Sequence, residues 1–326
     1  VPISLIFTVL NESQALPRLL DSIAAQTRQP DEIVVVDGGS TDGTLDVLNA
    51  NAKRLPLKII SQPGANISQG RNTAIRAATG DIICSTDAGV RLDELWVEEL
   101  VKQFDERLQS SSVDVVSGFF TPDPQNVFEI ALAATTLPAL ADIQPEKFLP
   151  SSRSIAFTKS AWEAAGGYPE WLDFCEDLIF DFELRKRFQF AFAPKAVAHF
   201  RPRSNLRSFF KQYYQYSRGD GKANLWFKRH LIRYLTYLVA LPLALALLFF
   251  APLLGFGILL LGFVFMFFTP YKRLVPMMLA LSSFDQATAI AWVPIIRVTG
   301  DIAKMIGYPV GIVWRVKKSS ISRDAK

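Results

Sequence analysis

From Tyr234 to Phe268 the chain runs 35 positions without a charged residue. One straight helix of that length would reach ~52 Å, against a bilayer hydrocarbon core of ~30 Å. Pro242, Pro252, Gly255 and Gly257 interrupt the run. The pattern predicts two helices, about 235–250 and 253–269, joined near Pro252, each arm short for a full crossing. Lys228, Arg229 and Arg233 precede the run, and Lys272 and Arg273 follow it. Bases at both ends predict a hairpin, spanning or re-entrant, with both ends in the cytoplasm. Residues 276–314 are apolar but carry Asp285, Pro294, Arg297, Asp301 and Lys304. They are expected to form amphipathic helices on the membrane face, or one further hairpin. The basic tail from Arg315 is expected to fray.

Charge divides the chain in the same place. Residues 1–200 carry 17 Lys/Arg against 27 Asp/Glu, and residues 201–326 carry 18 against 4. An acidic soluble part joined to a basic, greasy part suits a catalytic domain on an anionic membrane surface. A nucleic-acid tail would be basic without being so apolar, so no nucleic-acid partner is expected. Cys84 and Cys175 give neither a disulfide framework nor zinc spacing, which fits a reducing compartment.

The first hundred residues alternate strand and helix patterns. Apolar, β-rich runs lie at 3–10, 32–36, 57–61 and 81–85. Helical patterns follow the first three, through Leu16–Ile23, Leu45–Leu48 and Gly70–Ala78. Strands that are apolar on both sides, separated by helices, predict a parallel sheet covered on both faces. The polar residues Asn11, Glu12, Asp37 and Asp87 fall at the carboxyl ends of these strands, where an open α/β sheet binds its ligand. The glycine-rich turn 38–43 lets backbone approach a ligand, but it lacks the Gly-Lys-Ser/Thr of a phosphate-cradling loop. Acids at strand ends suit ribose hydroxyls, a base N–H, or a cation that holds a diphosphate. Arg71 is suited to phosphate. For Asp37 and Asp42, turn chemistry and helix capping remain open as the alternative.

Further along, helices are expected at 96–108 and 128–140, with strands at 113–120, 151–157 and 190–198. Ser160 is expected to cap a short helix over 161–165, stopped by Gly166-Gly167. Arg153 suits an acidic or phosphorylated group, or a surface ion pair. In residues 171–188, Asp173, Glu176, Asp177 and Asp181 precede Arg185, Lys186 and Arg187, with Leu178, Ile179, Phe182 and Leu184 at helical spacing. That is the charge order of a helix with acids in its first turn and bases in its last. Glu176 and Asp177 at its N-terminus can face a pocket as a base must, or merely cap the helix. In 212–222 basic and aromatic residues interleave beside the apolar run, which predicts an element at headgroup level able to close over a diphosphate. Arg218 is its candidate phosphate contact.

The stretch Ile33-Val34-Val35-Val36-Asp37-Gly38-Gly39-Ser40-Thr41-Asp42-Gly43-Thr44 resembles the nucleotide-binding signature of family 2 glycosyltransferases. Thr8-x-x-Asn11-Glu12, Gly70-Arg71-Asn72, Gly166-Gly167-Tyr168-Pro169-Glu170 and Cys175-Glu176-Asp177 match in order, over roughly residues 3–220. The resemblance implies a GT-A fold, a Rossmann-like, mostly parallel sheet flanked by helices, over 1–222. A membrane-associated helical region over 223–326 would follow, its hydrophobic hairpin at about 234–269 and its amphipathic helices at about 276–314. It implies a nucleoside diphosphate sugar donor, UDP- or GDP-linked, and inversion at the anomeric carbon. Asp37 would contact the base, Glu12 the base or ribose, and Arg71 the nucleotide, with Thr8, Asn11 and Gly39 in the same binding group. Asp87 would stand at the metal and diphosphate motif, and Asp177, beside Glu176, would be the general base.

One departure bears on the cofactor. Where the family carries Asp-x-Asp, this chain reads Thr86-Asp87-Ala88-Gly89. A Mg²⁺ or Mn²⁺ ion would then lean on phosphate oxygens, waters and one more ligand. His199 is the candidate ligand, or Arg91 offsets part of the diphosphate charge instead. The Gln-x-x-Arg-Trp of processive synthases is absent, which argues for a single transfer. The expectation is therefore a non-processive, membrane-anchored transferase of a cell-envelope polysaccharide or glycolipid, its catalytic domain in the cytoplasm and its acceptor lipid-linked or membrane-proximal. A non-catalytic membrane scaffold that binds nucleotide or lipid on the same fold is the alternative.

Overall fold

A computed structural model describes residues 1–105 and 113–324. Among these residues one sheet holds eight strands in the order β3-β2-β1-β4-β7-β6-β8-β5. The strands are β1 (Ile3–Val9), β2 (Glu32–Asp37), β3 (Leu57–Ser61), β4 (Ile82–Ser85), β5 (Val90–Leu92), β6 (Val115–Pro122), β7 (Ile155–Thr158) and β8 (Phe190–Phe200). The half β3-β2-β1-β4 is parallel throughout, as the apolar runs predict. β7 then runs antiparallel between β4 and β6, β6 and β8 are parallel, and β5 closes the edge antiparallel to β8. The sheet is thus mixed. β5 escapes sequence reading because its three residues, Val-Arg-Leu, follow directly on a turn.

Alternate residues of the central strands feed two cores, which is why those strands are apolar on both sides. Leu5, Phe7, Ile33 and Val35 meet α1 (Leu16–Ala24) and α4 (Trp96–Asp105) through Leu16, Leu20, Trp96 and Val97. Ile6, Val34 and Ile83 face the other way, onto α3 (Ile67–Ala77) and α7 (Glu176–Arg185), through Ala74, Ile75, Phe180 and Leu184. α2 (Thr44–Asn51) and α6 (Lys159–Ala165) complete the cover. The side chain of Thr158, not Ser160, caps α6 by accepting from the Ala161 amide. The expected residues 106–108 of α4 lie outside the described residues.

The chain divides into two compact units, 1–123 with 139–201, and 124–138 with 202–326. This partition differs from a break at 222/223, for two packing reasons. α5 (Val127–Thr136) buries Phe128 against Trp292, at a ring separation of 5.0 Å. α8 (Leu206–Lys222) lies along α12 (Ser283–Asp324). The interleaved segment 212–222 is therefore one face of a helix pair. A Cβ on Gly311 would stand 2.2 Å from the Arg218 carbonyl oxygen, so glycine is needed at that crossing.

Residues 227–250 form one continuous helix, with α9 (Phe227–Leu235) and α10 (Leu241–Phe250) joined through a π-helical turn at Thr236–Ala240. α11 (Pro252–Met278) starts at the proline that was expected to break the run. Both helices are long and apolar enough to cross a membrane, at 24 and 27 residues. At 1.5 Å per residue they reach ~36 and ~40 Å, so neither arm is short. Over 276–314, where amphipathic elements were expected, α11 ends at Met278 and a single helix, α12, runs from Ser283 through the tail to Asp324, with Pro294 and Pro309 inside it. The tail is helical where fraying was expected.

Candidate active site

Arg71 is the hub of the first unit's polar cluster. It sits on α3, its side chain 3% exposed. Nη1 donates to Glu176 Oε1 at 2.7 Å and Nη2 to Asp87 Oδ1 at 2.9 Å. Its guanidinium stands 5.2 Å from the centre of the Tyr168 ring. Burial alone would disfavour the charge, but Asp87 and Glu176 hold the guanidinium more firmly protonated than usual. Three segments far apart in sequence therefore meet on one cation: the start of α3, the end of β4 and the start of α7.

Arg153 forms the far wall. Its Nε lies 3.6 Å from Asp87 Oδ2 and donates to Ser151 Oγ at 3.1 Å. Its guanidinium covers the Phe200 ring at 4.1 Å and the Phe120 ring at 5.4 Å. The aromatic faces fix a cation that is one-fifth exposed. Asp87 thus stands between two guanidiniums, a third of its side chain open.

Asp177 is half-buried beside this cluster. Cys175, in the left-handed region at φ 66°, turns the chain so that α7 begins with Glu176 and Asp177. Asp177 Oδ1 accepts from the Leu178 amide at 2.9 Å. Burial raises the proton affinity of Asp177, and Arg71 opposes the rise. Burial and the neighbouring Asp177 raise that of Glu176 as well. A carboxylate with raised proton affinity at a helix start suits general-base work near neutral pH.

Asn72 holds the approach to α7. Its Nδ2 donates to the Tyr168 carbonyl at 2.8 Å and to Glu170 Oε1 at 2.9 Å. Its Oδ1 accepts from the Tyr168 amide at 2.9 Å and the Trp162 indole at 3.1 Å. Gly-Arg-Asn therefore performs three tasks in sequence. A Cβ on Gly70 would lie 2.8 Å from Thr8 Cγ2, so glycine there lets α3 cross close over β1. Arg71 gathers the acids, and Asn72 clamps the turn at Gly166-Gly167-Tyr168. Gly167 has φ 75°, and a Cβ there would stand 2.9 Å from Asn72 Oδ1. Gly167→Ala is expected to cost about 1–3 kcal/mol from backbone strain alone, read as a lowered midpoint in denaturant. An unchanged midpoint would show that the clamp tolerates a side chain.

The loops after β1 and β2 form a second, adjoining cluster. Asp37 is fully buried and its carboxylate accepts from the Gly39 and Ser40 amides at 3.0–3.2 Å. Its carboxylate shapes the turn, the alternative left open beside the expected contact with a base. Asn11, at φ 57°, accepts from the Thr41 amide at 2.9 Å, and the Glu12 amide donates to Thr44 Oγ1 at 2.9 Å. The Thr44 hydroxyl, with the Ser13 amide, holds the Asp42 carboxyl down at about 2. Asn11, Glu12, Asp37 and Gly39 are thus brought together, with Thr8 beneath Gly70.

The other expected contacts are His199, Arg91 and Arg218. His199 is held at both ring nitrogens, Nδ1 with Thr121 Oγ1 at 2.8 Å and Nε2 with Asp93 Oδ1 at 2.7 Å. Metal ligation would have to break one of these bonds. Arg91 stands opposite His199 in the β5–β8 register, 3.6 Å from Asp93. Arg218 belongs to the second unit. Among the described residues no three His, Cys, Asp or Glu side chains gather as a metal cage. Asp87 still presents Oδ2, which suits an ion that shares substrate phosphate oxygens with one protein carboxylate. Asn72, Tyr168 and Asp181 stand in stretches that the sequence singles out, but no role attached to them there. The pairing of Asn72 with Tyr168 joins residues 96 apart, which local spacing does not show.

A parallel half-sheet with polar loops at its carboxyl ends, next to a helix that opens on two acids, defines a GT-A-type glycosyltransferase fold. Residues 4–151 match Glycosyl transferase family 2, and the chain carries a family 2 glycosyltransferase domain. An uncharacterised glycosyltransferase of Nostoc sp. is 36% identical over 113 residues, 34% of this chain and 34% of that protein. The undecaprenyl-phosphate 4-deoxy-4-formamido-L-arabinose transferase of Serratia proteamaculans is 33% identical over 111 residues, 32% of this chain and 34% of its own length. The chain spans about a third of the length of the curated relatives it matches. Among solved structures, the mannosyltransferase PcManGT from Pyrobaculum calidifontis, in complex with GDP-Man and Mn²⁺, aligns at a TM-score of 0.54 and 19% identity. That alignment covers 96% of this chain and 86% of that one. Residues 1–349 of S. aureus TarS with UDP-GlcNAc align at 0.52 and 17%, covering 93% and 90%.

Proposed function

We propose that the chain is an inverting, non-processive glycosyltransferase. It moves a sugar from a UDP- or GDP-sugar to a lipid-linked or membrane-proximal acceptor. The observation that carries this reading is the convergence of Arg71, Asp87, Arg153, Glu176 and Asp177 at one place beside the nucleotide-type loops. The helices 227–250 and 252–278 anchor it in the membrane, with the catalytic unit on the cytoplasmic side. A lipid acceptor is supported by the Serratia relative, whose name specifies an undecaprenyl-phosphate.

In this reading Asp177 takes the proton from the acceptor hydroxyl with Oδ2, since Oδ1 is engaged by the Leu178 amide. The acceptor oxygen bonds to the anomeric carbon from the face opposite the diphosphate, and the bond from that carbon to phosphate oxygen breaks. Arg153 stabilises the charge that develops on the leaving diphosphate. Arg71 holds Glu176 and Asp87 in place while it draws down the proton affinity of Asp177. Asp87 would hold a Mg²⁺ or Mn²⁺ ion jointly with the diphosphate, and the ion would supply further charge neutralisation. Asn11, Glu12 and the turn shaped by Asp37 receive the nucleoside.

The test joins binding to turnover. A nucleoside diphosphate at 100 times its Kd should stabilise the chain by about 2.7 kcal/mol, read as a raised Tm. The matching sugar donor with a polyprenyl-phosphate acceptor should release free nucleotide. EDTA should stop that release and added Mn²⁺ should restore it. A raised Tm without nucleotide release from any UDP- or GDP-sugar would favour the non-catalytic scaffold. Undiminished release in EDTA would remove the metal.

A further inference from the structure

Asp181 lies on α7 four residues beyond Asp177, one turn along the same helix face. It is 2% exposed, and its Oδ2 has no hydrogen-bond partner. Phe180 and Leu184, its neighbours on α7, are fully buried in the apolar core beneath the cluster. The charged and titratable groups that bear on it are Asp177, Glu176 and Arg185 from α7, Arg71 from α3, and Tyr168 from the preceding turn. Three of these are carboxylates or a phenol, and the two cations are already turned elsewhere. Arg71 is shared by Glu176 and Asp87, and Arg185 donates to the Phe148 carbonyl at 2.8 Å. An ionised carboxylate with a bare oxygen in such a place is strongly disfavoured.

We infer that Asp181 is a positioning residue for the transfer: an uncharged carboxylic acid that backs Asp177 and keeps a second negative charge from building up behind the base. The assignment rests on Asp177 as that base. A neutral Asp181 lets α7 stay packed while Asp177 alone changes charge as it takes the acceptor proton. At alkaline pH Asp181 ionises, nothing donates to its Oδ2, and α7 must shift to admit water. That shift displaces the base one turn away, so Asp181 sets an alkaline limit to turnover. Burial first, then Asp177, pushes the carboxyl of Asp181 well above the ordinary range, in line with this placement.

Asp181→Asn is the direct test, because the amide copies the shape of the neutral acid. Its kcat at neutral pH is expected within about twofold of wild type, and its alkaline limb is expected to lie higher or vanish. Above the ordinary carboxylate range the unfolded chain has released this proton while the folded chain keeps it, so wild-type stability falls as pH rises. The variant lacks that loss. Its Tm should exceed that of wild type by a margin that widens from acid to alkaline pH. Asp181→Leu, neutral and equally branched but bulkier, serves as a second variant, read by the pH dependence of its Tm and turnover rather than by their absolute values. Infrared difference spectra of the full chain in detergent, labelled with ¹³C-aspartate, should show a protonated carboxyl band at neutral pH that both variants lose. Coincident pH profiles overturn the inference. So does a tenfold fall in kcat at neutral pH with an unchanged fold, or the lack of the band. The band and the Tm margin are read without turnover, so they fail separately from the assignment of Asp177.

Discussion

Asp177→Asn is expected to lower kcat by about 10²–10⁴-fold while donor binding stays close to wild type. The substitution removes the proton acceptor and little else. An asparagine oxygen can still accept from the Leu178 amide, the bond that Oδ1 makes at 2.9 Å, so the start of α7 should keep its form. Glu176 keeps its bond to Arg71. The carboxylate being replaced carries a raised proton affinity because burial disfavours its charge, so an uncharged amide should leave stability unchanged or improve it. The decisive measurement pairs nucleotide release with calorimetric donor binding and a melting curve. Near-normal release from a well-folded variant would take Asp177 out of its role. A joint loss of binding and Tm would mean that the residue holds the helix rather than the proton.

Arg71→Met is expected to have the largest effect on stability. Removing one partner of a buried ion pair costs about 3–5 kcal/mol, because the other partner stays buried and uncompensated. Here Glu176, almost wholly buried, loses its cation, and Asp87, one-third open, keeps only Arg153. Methionine keeps much of the length and can still pack on Tyr168, so the loss reports charge rather than volume. The pH dependence gives a further check. Arg71 lowers the proton affinity of Glu176, and its removal raises the folded-state value further above the unfolded one. A carboxyl raised on folding contributes stability below its unfolded pKa and loses it as pH rises through the folded pKa. Arg71→Met should therefore be least destabilised in mildly acid solution and most at alkaline pH. A variant with wild-type stability across that range would show that the cluster does not depend on its central cation.

The two predictions trace back to different kinds of legibility. The strand-ending acids were readable because a parallel half-sheet buries both faces of its strands. Continuous apolar runs such as Ile33–Val36 then mark strands, and the first polar residue after each marks the ligand-binding edge. The helix start at Glu176 and Asp177 was readable because helix ends have a charge order that local sequence records. The bonding of Asp37 was not. A carboxylate at a strand end can serve a ligand or its own turn, and only the folded chain shows that Asp37 accepts from the Gly39 and Ser40 amides. His199 was expected just past the strand 190–198; it lies on β8, and its ring nitrogens answer to Asp93 and Thr121, 106 and 78 residues away.

The C-terminal region divides the same way. Composition located the apolar run and its break at Pro252 correctly, since hydropathy and proline act locally. Helix length was missed, because prolines at 270, 276, 294 and 309 stand inside helices where a sequence rule ends them. The sequence by itself determined the sheet's parallel half, the polar loops at the carboxyl ends of its strands, the helix that opens on Glu176 and Asp177, and the apolar run. These follow from backbone periodicity, end charges and hydropathy, which act over a few residues. Only the tertiary structure decided that Arg71 stands between Asp87 and Glu176, that Asn72 holds the Tyr168 turn, and that Asp181 is buried one turn beyond Asp177. Those facts depend on which segments the chain crossings bring within 3 Å, and burial then sets the charge each side chain can carry.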